Sequence, residues 1–128
     1  MRREARELAF KLIFENEFNN VDVELSFMSE LEEIKMSKED SEFALTLFNL
    51  SKENKAEIEN LISEKVVGYE LNRLYKVDVA LLKLAVAEVK YYKETPTAVV
   101  VNEILELAKK YSTDNSSKFL NGVLGALV

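Results

Sequence analysis

Glycine and proline are nearly absent from this chain, which has three Gly and one Pro among 128 residues. Sandwiches and barrels need many turns that use these residues, and nucleotide-binding α/β folds need glycine-rich loops. Neither architecture suits this composition. Apolar residues recur at helical spacing along most of the chain, so we predict an all-α fold.

The length and composition fit one domain spanning residues 1–128, with 48% hydrophobic and 31% charged residues. Cys and His are both absent, which excludes thiolate nucleophiles, imidazole bases and zinc sites. We therefore expect a protein that is not an enzyme and has no metal or cofactor. The longest apolar runs fall short of the roughly 18 to 20 residues of a membrane span, so we expect a cytoplasmic protein that does not bind membranes.

Charge is distributed unevenly. Residues 1–11 have four basic side chains against two acidic ones, whereas residues 15–42 have ten acids against two lysines. A basic amino-terminal end thus adjoins a strongly acidic segment. A polyanion can bind only if the fold separates the two.

The first helix has two apolar stripes. One is typical of a core-facing helix and consists of Ala5, Leu8, Ala9, Leu12 and Ile13. The second consists of Phe10, Phe14 and Phe18, with Arg3 and Arg6 near its start. We interpret Phe10 as a core residue. For Phe14 and Phe18, burial between helices and exposure on a partner surface both stay open.

The central part of the chain predicts further helices. Val23–Ile34 forms one, with Asp22 as its N-cap, and Ser37 caps the next. Residues 38–68 form either two helices or one long kinked helix, with Gly68 as the C′ residue.

A further helix begins at Asp78 and is apolar nearly all round, which predicts the most buried helix of the fold. The break at residues 95–97, around Pro96, separates it from the next helix, which ends near Tyr111. The polar stretch 112–117 precedes the last helix.

Two pairs of small or polar residues stand out in the last two helices. Gly122 and Gly125 predict either a close helix contact or backbone exposed to a ligand, because mid-helix glycine costs roughly 1 kcal/mol. Asn102 and Asn121 lie on apolar-rich helices, and we predict that they are buried and help to set helix packing.

Three segments resemble the Nus factor B family of bacterial transcription antitermination factors. They are the opening Arg2-Arg3-Glu4-Ala5-Arg6-Glu7-Leu8-Ala9, the middle run from Val77 to Ala85 followed by Glu88, and the carboxyl-terminal half. In that half, Thr95-Pro96 is followed by a run from Val101 to Tyr111 and by Lys118-Phe119-Leu120-Asn121-Gly122-Val123-Leu124. The order and spacing of these motifs over nearly the whole chain make the resemblance specific.

This resemblance implies about seven helices in two small packed bundles, with three helices in residues 1–67 and four in residues 68–128. It implies a bacterial RNA-binding factor that binds the boxA element of nascent ribosomal-RNA transcripts, a single-stranded RNA. The implied protein partner is the small-subunit ribosomal protein that acts as Nus factor E. Through the Nus complex, the assembly joins the elongating RNA polymerase.

Two elements are candidates for RNA binding. Guanidinium groups pair bidentately with phosphates near a helix amino end, which suggests Arg2, Arg3 and Arg6; a solvated basic helix start is the alternative. The resemblance adds the loop from Asn115 through Lys118 to Phe119, close in space to the first helix. A cation beside an aromatic ring is typical of single-stranded RNA binding.

By the same resemblance, the protein-partner surface comprises Phe14 and Phe18 on the first helix and Asp78 and Lys83 on the central one. For Asp78, a helix N-cap is the alternative. Many family members begin with a longer basic stretch, so we expect weak RNA binding by this chain alone and a shallow salt dependence.

Two other classes of function stay in competition. One is a purely protein-binding adaptor or self-associating module, including a homodimer formed through the first helix. The other is part of a ribosomal-RNA cytosine methyltransferase, but this chain lacks the required catalytic cysteine and glycine-rich cofactor loop.

Overall fold

The computed structural model describes residues 2–18, 22–66, 68 and 70–127, and its described part is helical without strands. Seven helices follow one another in the described part of the chain. They are α1 (Arg2–Glu15), α2 (Val23–Ile34), α3 (Lys38–Glu53), α4 (Lys55–Lys65), α5 (Lys76–Val86, continued by the π-helical segment Ala87–Tyr92), α6 (Thr97–Tyr111) and α7 (Ser116–Leu127). A 3-10 turn, Leu71–Arg73, precedes α5. The all-α prediction is confirmed.

Local capping explains where several helices begin and end. The Asp22 carboxylate accepts a hydrogen bond from Leu25 N at 3.2 Å, and the Ser37 hydroxyl oxygen accepts one from Asp40 N at 3.2 Å. Both predicted N-caps are confirmed. Asn54 separates α3 from α4, so this region forms two helices.

The carboxyl end of α4 differs from the prediction for Gly68. The helix ends at Lys65 with Val66 as its C-cap, so Gly68 lies two residues beyond the cap and is not C′. Gly68 has a φ of +86°, a left-handed conformation that glycine adopts without steric cost. The glycine therefore serves the turn that follows the helix.

The core sits around α1 and α5. The five predicted core residues of α1 are buried, and Phe10 is buried with them. Every residue of α5 and its π-helical extension from Val77 to Glu88 is buried, as expected for the central helix. Helix α1 packs against both α3 and α5, and α6 and α7 cover another side of α5. The division into two bundles stays a prediction. The expected count of three and four helices is reversed, because residues 1–67 contain α1–α4 and residues 68–128 contain α5–α7.

The predicted burial of Asn102 and Asn121 is wrong, and one of the two explanations for the glycines of α7 is excluded. Asn102 and Asn121 are exposed, because they lie on the solvent faces of helices whose opposite faces carry the core residues Ile104 and Val123. A Cβ added at Gly122 or Gly125 would meet nothing within 4 Å, so no close helix contact explains these glycines.

Candidate nucleic-acid and protein interfaces

The amino end of α1 presents two exposed arginines, and both contact acids. Arg3 donates from Nε and Nη2 to the Glu103 carboxylate at 2.9 and 3.1 Å. The Arg2 guanidinium lies 4.0 Å from the Phe43 ring centroid and 3.8 Å from Asp40. The hydrogen bond to Glu103 raises the pKa of Arg3. RNA phosphates would have to compete with these carboxylates for the arginines.

Arg6 lies beneath this surface. Its side chain donates to both oxygens of Glu88 at 2.8 and 2.7 Å, and the residue is only 6% exposed. The hydrogen bond to Glu88 raises the pKa of Arg6 against the opposing effect of burial. A direct contact between Arg6 and RNA would require this pair to open. In the closed pair, Arg6 joins α1 to the π-helical segment.

Glu88 is the partner that sequence reasoning did not connect to Arg6. A signal for Glu88 was available, since a charged residue in a helix predicted to be buried needs a partner. The identity of that partner was not accessible from local sequence, because the two residues are 82 positions apart.

Asp78 accepts hydrogen bonds from both ends of the loop between α6 and α7. The Ser112 hydroxyl donates to Asp78 Oδ1 at 2.6 Å, and the Ser116 hydroxyl donates to Asp78 Oδ2 at 3.0 Å. Asp78 is 5% exposed and is the third residue of α5, whose N-cap is Tyr75. The N-cap interpretation of Asp78 is therefore wrong. Through its hydrogen bond with Ser116, the Asp78 carboxylate connects the start of α5 to the start of α7.

Asn115 and Lys118 are exposed on this loop and the first turn of α7, and Phe119 is half-buried. Asn115 and Phe119 line a groove of about 260 Å³ together with Asp78. The structure thus brings together two residues of the predicted RNA set and one of the predicted protein-partner set.

Arg3, at the amino end of α1, lies away from this loop. Arg3 contacts Glu103, whereas the loop starts at Ser112, nine residues or roughly 14 Å further along the axis of α6. The part of α1 next to the loop is Phe10, whose ring centroid is 5.0 Å from that of Tyr111. The loop is therefore near the middle of α1 and not near its amino end.

A cation that sequence reasoning missed lies between the two elements. Lys110 Nζ donates to both Glu7 carboxylate oxygens at 3.0 Å. Burial tends to raise the pKa of Glu7, but hydrogen bonds from Lys110 and Tyr111 outweigh it and lower that pKa. The exposed pair Lys109-Lys110 in the last turn of α6 was the available signal.

The aromatic stripe of α1 leads from the core to the surface and continues beyond the helix. Phe18 was expected on the first helix, but α1 ends at Glu15 and Phe18 lies in the turn that follows. The ring centroids of Phe10 and Phe14 are 6.2 Å apart, and those of Phe14 and Phe18 are 5.3 Å apart with edge-to-face geometry. Phe10 is buried, Phe14 is half-buried and Phe18 is 45% exposed. Only the outer part of the stripe can contact another molecule.

Lys83 lies behind this stripe and is 3% exposed. Its ammonium group donates to Glu17 at 2.5 Å and to Glu59 at 3.4 Å. Glu17 and Glu59 also line a groove of about 320 Å³ with Leu71 and Val79. Lys83 therefore holds the carboxylates at the edge of this groove, and its own charge does not reach the surface.

Among the described residues, no group of three or more His, Cys, Asp or Glu side chains could hold a metal ion. None of the helices in this part of the chain is long and apolar enough to cross a membrane.

Comparison with known proteins places this arrangement in a family. The model of the NusB family matches residues 3–128. The chain belongs to the NusB family. A transcription antitermination protein NusB from Clostridium novyi is 38% identical over 129 residues, which cover 99% of this chain and 97% of the relative.

Solved structures agree with that membership. The structure of T. maritima NusB matches with a TM-score of 0.87 and 38% identity, over 99% of this chain and 89% of that one. A crystal structure of the antitermination factors NusB and NusE in complex with dsRNA matches with a TM-score of 0.88 and 29% identity, over 98% and 94% of the two chains. The resemblance drawn from the motifs is confirmed. The roles of individual residues in this NusB-family member stay predictions.

Proposed function

We propose that this protein is a transcription antitermination factor that binds boxA-type single-stranded RNA of nascent ribosomal-RNA transcripts. It acts together with the small-subunit ribosomal protein that serves as NusE, and through the Nus complex it joins the elongating RNA polymerase. The observation that carries the proposal is the near-full-length match to a NusB that was crystallised with NusE and dsRNA. The function is binding and involves no catalysis.

The RNA surface extends from the amino end of α1 to the start of α7. Arg2 and Arg3 are exposed at one end, and Asn115, Lys118 and Phe119 form the other. Arg6 is buried beneath Arg2 and Arg3, and its hydrogen bonds to Glu88 hold the amino end of α1 in position. A strand that follows this surface would pass the exposed Lys110, so cations occur along its length.

The protein-partner surface is centred on Phe18 and the half-buried Phe14. The groove of about 320 Å³ lined by Glu17, Glu59 and Lys76 supports this assignment, because it combines two carboxylates and one lysine with apolar side chains. A basic partner with apolar anchors would suit both features. Lys83 is buried, and it positions Glu17 by donating a hydrogen bond to its carboxylate.

The experiment is a fluorescence-anisotropy titration with boxA-type RNA and a scrambled control, at two salt concentrations, with and without the ribosomal protein. We expect a preference for boxA that strengthens when the ribosomal protein is present. Tight binding of the ribosomal protein without any RNA preference would contradict the RNA-binding part. The protein would then be a purely protein-binding adaptor. The ion pair between Arg3 and Glu103 favours this alternative, because it occupies an arginine that RNA binding would need.

A further inference from the structure

The groove of about 260 Å³ opens between two chain segments that begin helices. The turn before α5 contributes Arg73 and Tyr75, and the loop and first turn of α7 contribute Asn115 and Phe119. Asp78 and Ser116 line it as well and join the two segments by a hydrogen bond of 3.0 Å. We call this feature the base groove.

The two aromatic rings reach the base groove from different local structures. Phe119 follows Ser116 by three residues within α7, so the two side chains share a helix face. Tyr75 is the extended N-cap residue of α5 and lines the same groove three residues before Asp78. The backbone at Tyr75 is held, because its carbonyl accepts from Val79 N at 3.0 Å.

The side chains of the base groove have the chemistry that single-stranded RNA requires. Tyr75 is 51% exposed, and Phe119 adds a second, half-buried ring. Among the described residues, Arg73 makes a long, exposed ion pair with Glu70 at 3.4 Å, which contributes little stability. Aromatic rings for stacking, a guanidinium for phosphate and an amide for base edges are the usual means of holding an unstacked base.

The base groove is shallow and open to solvent, with a volume of about 260 Å³. A shallow groove lined by aromatic rings lets a flat, unstacked base lie against those rings. The groove is also continuous with the proposed RNA surface, because Asn115 and Phe119 belong to both.

We propose that the base groove takes one unstacked nucleotide of the bound RNA, with its base against Tyr75 and Phe119 and a phosphate against Arg73. This inference rests on the proposed function and adds Arg73 and Tyr75 to its RNA-contacting residues. Asp78 is a positioning residue here. It contacts Ser112 and Ser116 and thereby sets the position of α7 relative to Tyr75.

The test uses boxA-type RNA carrying 2-aminopurine at one position at a time, titrated in the presence of the ribosomal protein. Stacking on a ring quenches this base, so wild-type protein should quench one position more strongly than its neighbours. Tyr75→Leu should lose that quenching and weaken binding by about 5- to 100-fold. Tyr75→Phe keeps the ring and should retain both properties.

Arg73→Gln should lower the slope of log affinity against log salt by about 0.7, the contribution of one phosphate on a single strand. Lys38→Gln removes one equally exposed cation outside the groove and should leave the slope unchanged. Thermal unfolding of each variant checks that it is folded. Because Arg73 and Tyr75 are exposed, we expect small changes in Tm.

The outcomes separate the two proposals. If wild-type protein does not prefer boxA to scrambled RNA, the proposed function is wrong. If wild-type protein prefers boxA but Tyr75→Leu and Arg73→Gln behave as wild type, only the base groove is wrong. Loss of ribosomal-protein binding by Tyr75→Leu with unchanged RNA affinity would also overturn the inference and assign the groove to the protein partner.

Discussion

Buried charged side chains carry much of the specificity of this fold. Arg6, Asp78, Lys83 and Glu88 are all buried, and each has a polar partner in the structure. Removing a buried ion from water is costly unless hydrogen bonds replace its hydration. Each of these residues therefore constrains which elements lie beside it, and the Arg6–Glu88 pair is the most enclosed example.

We predict that Arg6→Leu destabilises the protein by about 3–5 kcal/mol, because Glu88 would remain buried without its partner. The double variant Arg6→Leu/Glu88→Leu should cost much less than the sum of the two single variants. Urea unfolding of the four proteins measures this coupling. Arg3→Leu is the matched control, since it breaks an exposed pair and should change the free energy of unfolding by less than about 1 kcal/mol. Additive costs of the two core substitutions would contradict the prediction.

Sequence reasoning on single residues was correct for the apolar ones and incomplete for the charged ones. Phe10 was correctly interpreted as core, because helical periodicity reports which face an apolar residue shares. Arg6 and Lys83 were predicted to contact partners, yet the structure buries both. A long cationic side chain can reach water or a buried acid from the same helix position. Its neighbours in space decide between the two.

Helix α7 contains two glycines that neither its packing nor a turn requires. Its apolar residues Leu120, Val123, Leu124 and Leu127 are buried, whereas Gly122 and Gly125 are exposed. These glycines neither turn the chain nor make room for a neighbouring helix. Of the two explanations derived from the sequence, exposed backbone for a ligand is the one that stays open.

We predict that Gly122→Ala and Gly125→Ala each stabilise the protein by about 0.5–1 kcal/mol, because Ala has the higher helix propensity and its Cβ would meet no atom. Chemical denaturation provides the measurement. Gly68→Ala is the contrasting control and should destabilise the protein, since its φ of +86° strains any residue with a Cβ. A loss of stability in either α7 variant would refute the packing argument.

For the molecule as a whole, the net charge of −6 opposes RNA binding, so the distribution of charge has to compensate. The ion pairs of Arg3 with Glu103 and of Lys110 with Glu7 both join α1 to α6. They stabilise this packing only modestly, because they are exposed. The same carboxylates reduce the positive potential that the proposed RNA surface can offer.

We predict that Glu103→Gln strengthens RNA binding a few-fold, because it removes a negative charge and leaves Arg3 free to bind phosphate. Arg3→Gln should weaken binding. Both affinities are read from anisotropy titrations at low and high salt, and the differences should shrink at high salt. Glu64→Gln is the control, since it changes the net charge equally at an exposed position on α4. An equal gain from Glu64→Gln would show that only net charge matters.

The sequence by itself determined the helical class, the N-caps at Asp22 and Ser37 and the identity of the buried central helix. Such features depend on residues within a few positions of one another, where periodicity and capping act. The tertiary structure alone decided that Arg6 meets Glu88, 82 residues away, and that Arg3 meets Glu103, 100 residues away. It also decided that Tyr75 and Phe119 share one groove. Contacts between distant segments depend on how whole helices pack, and no local pattern encodes which charged side chain will find a buried partner.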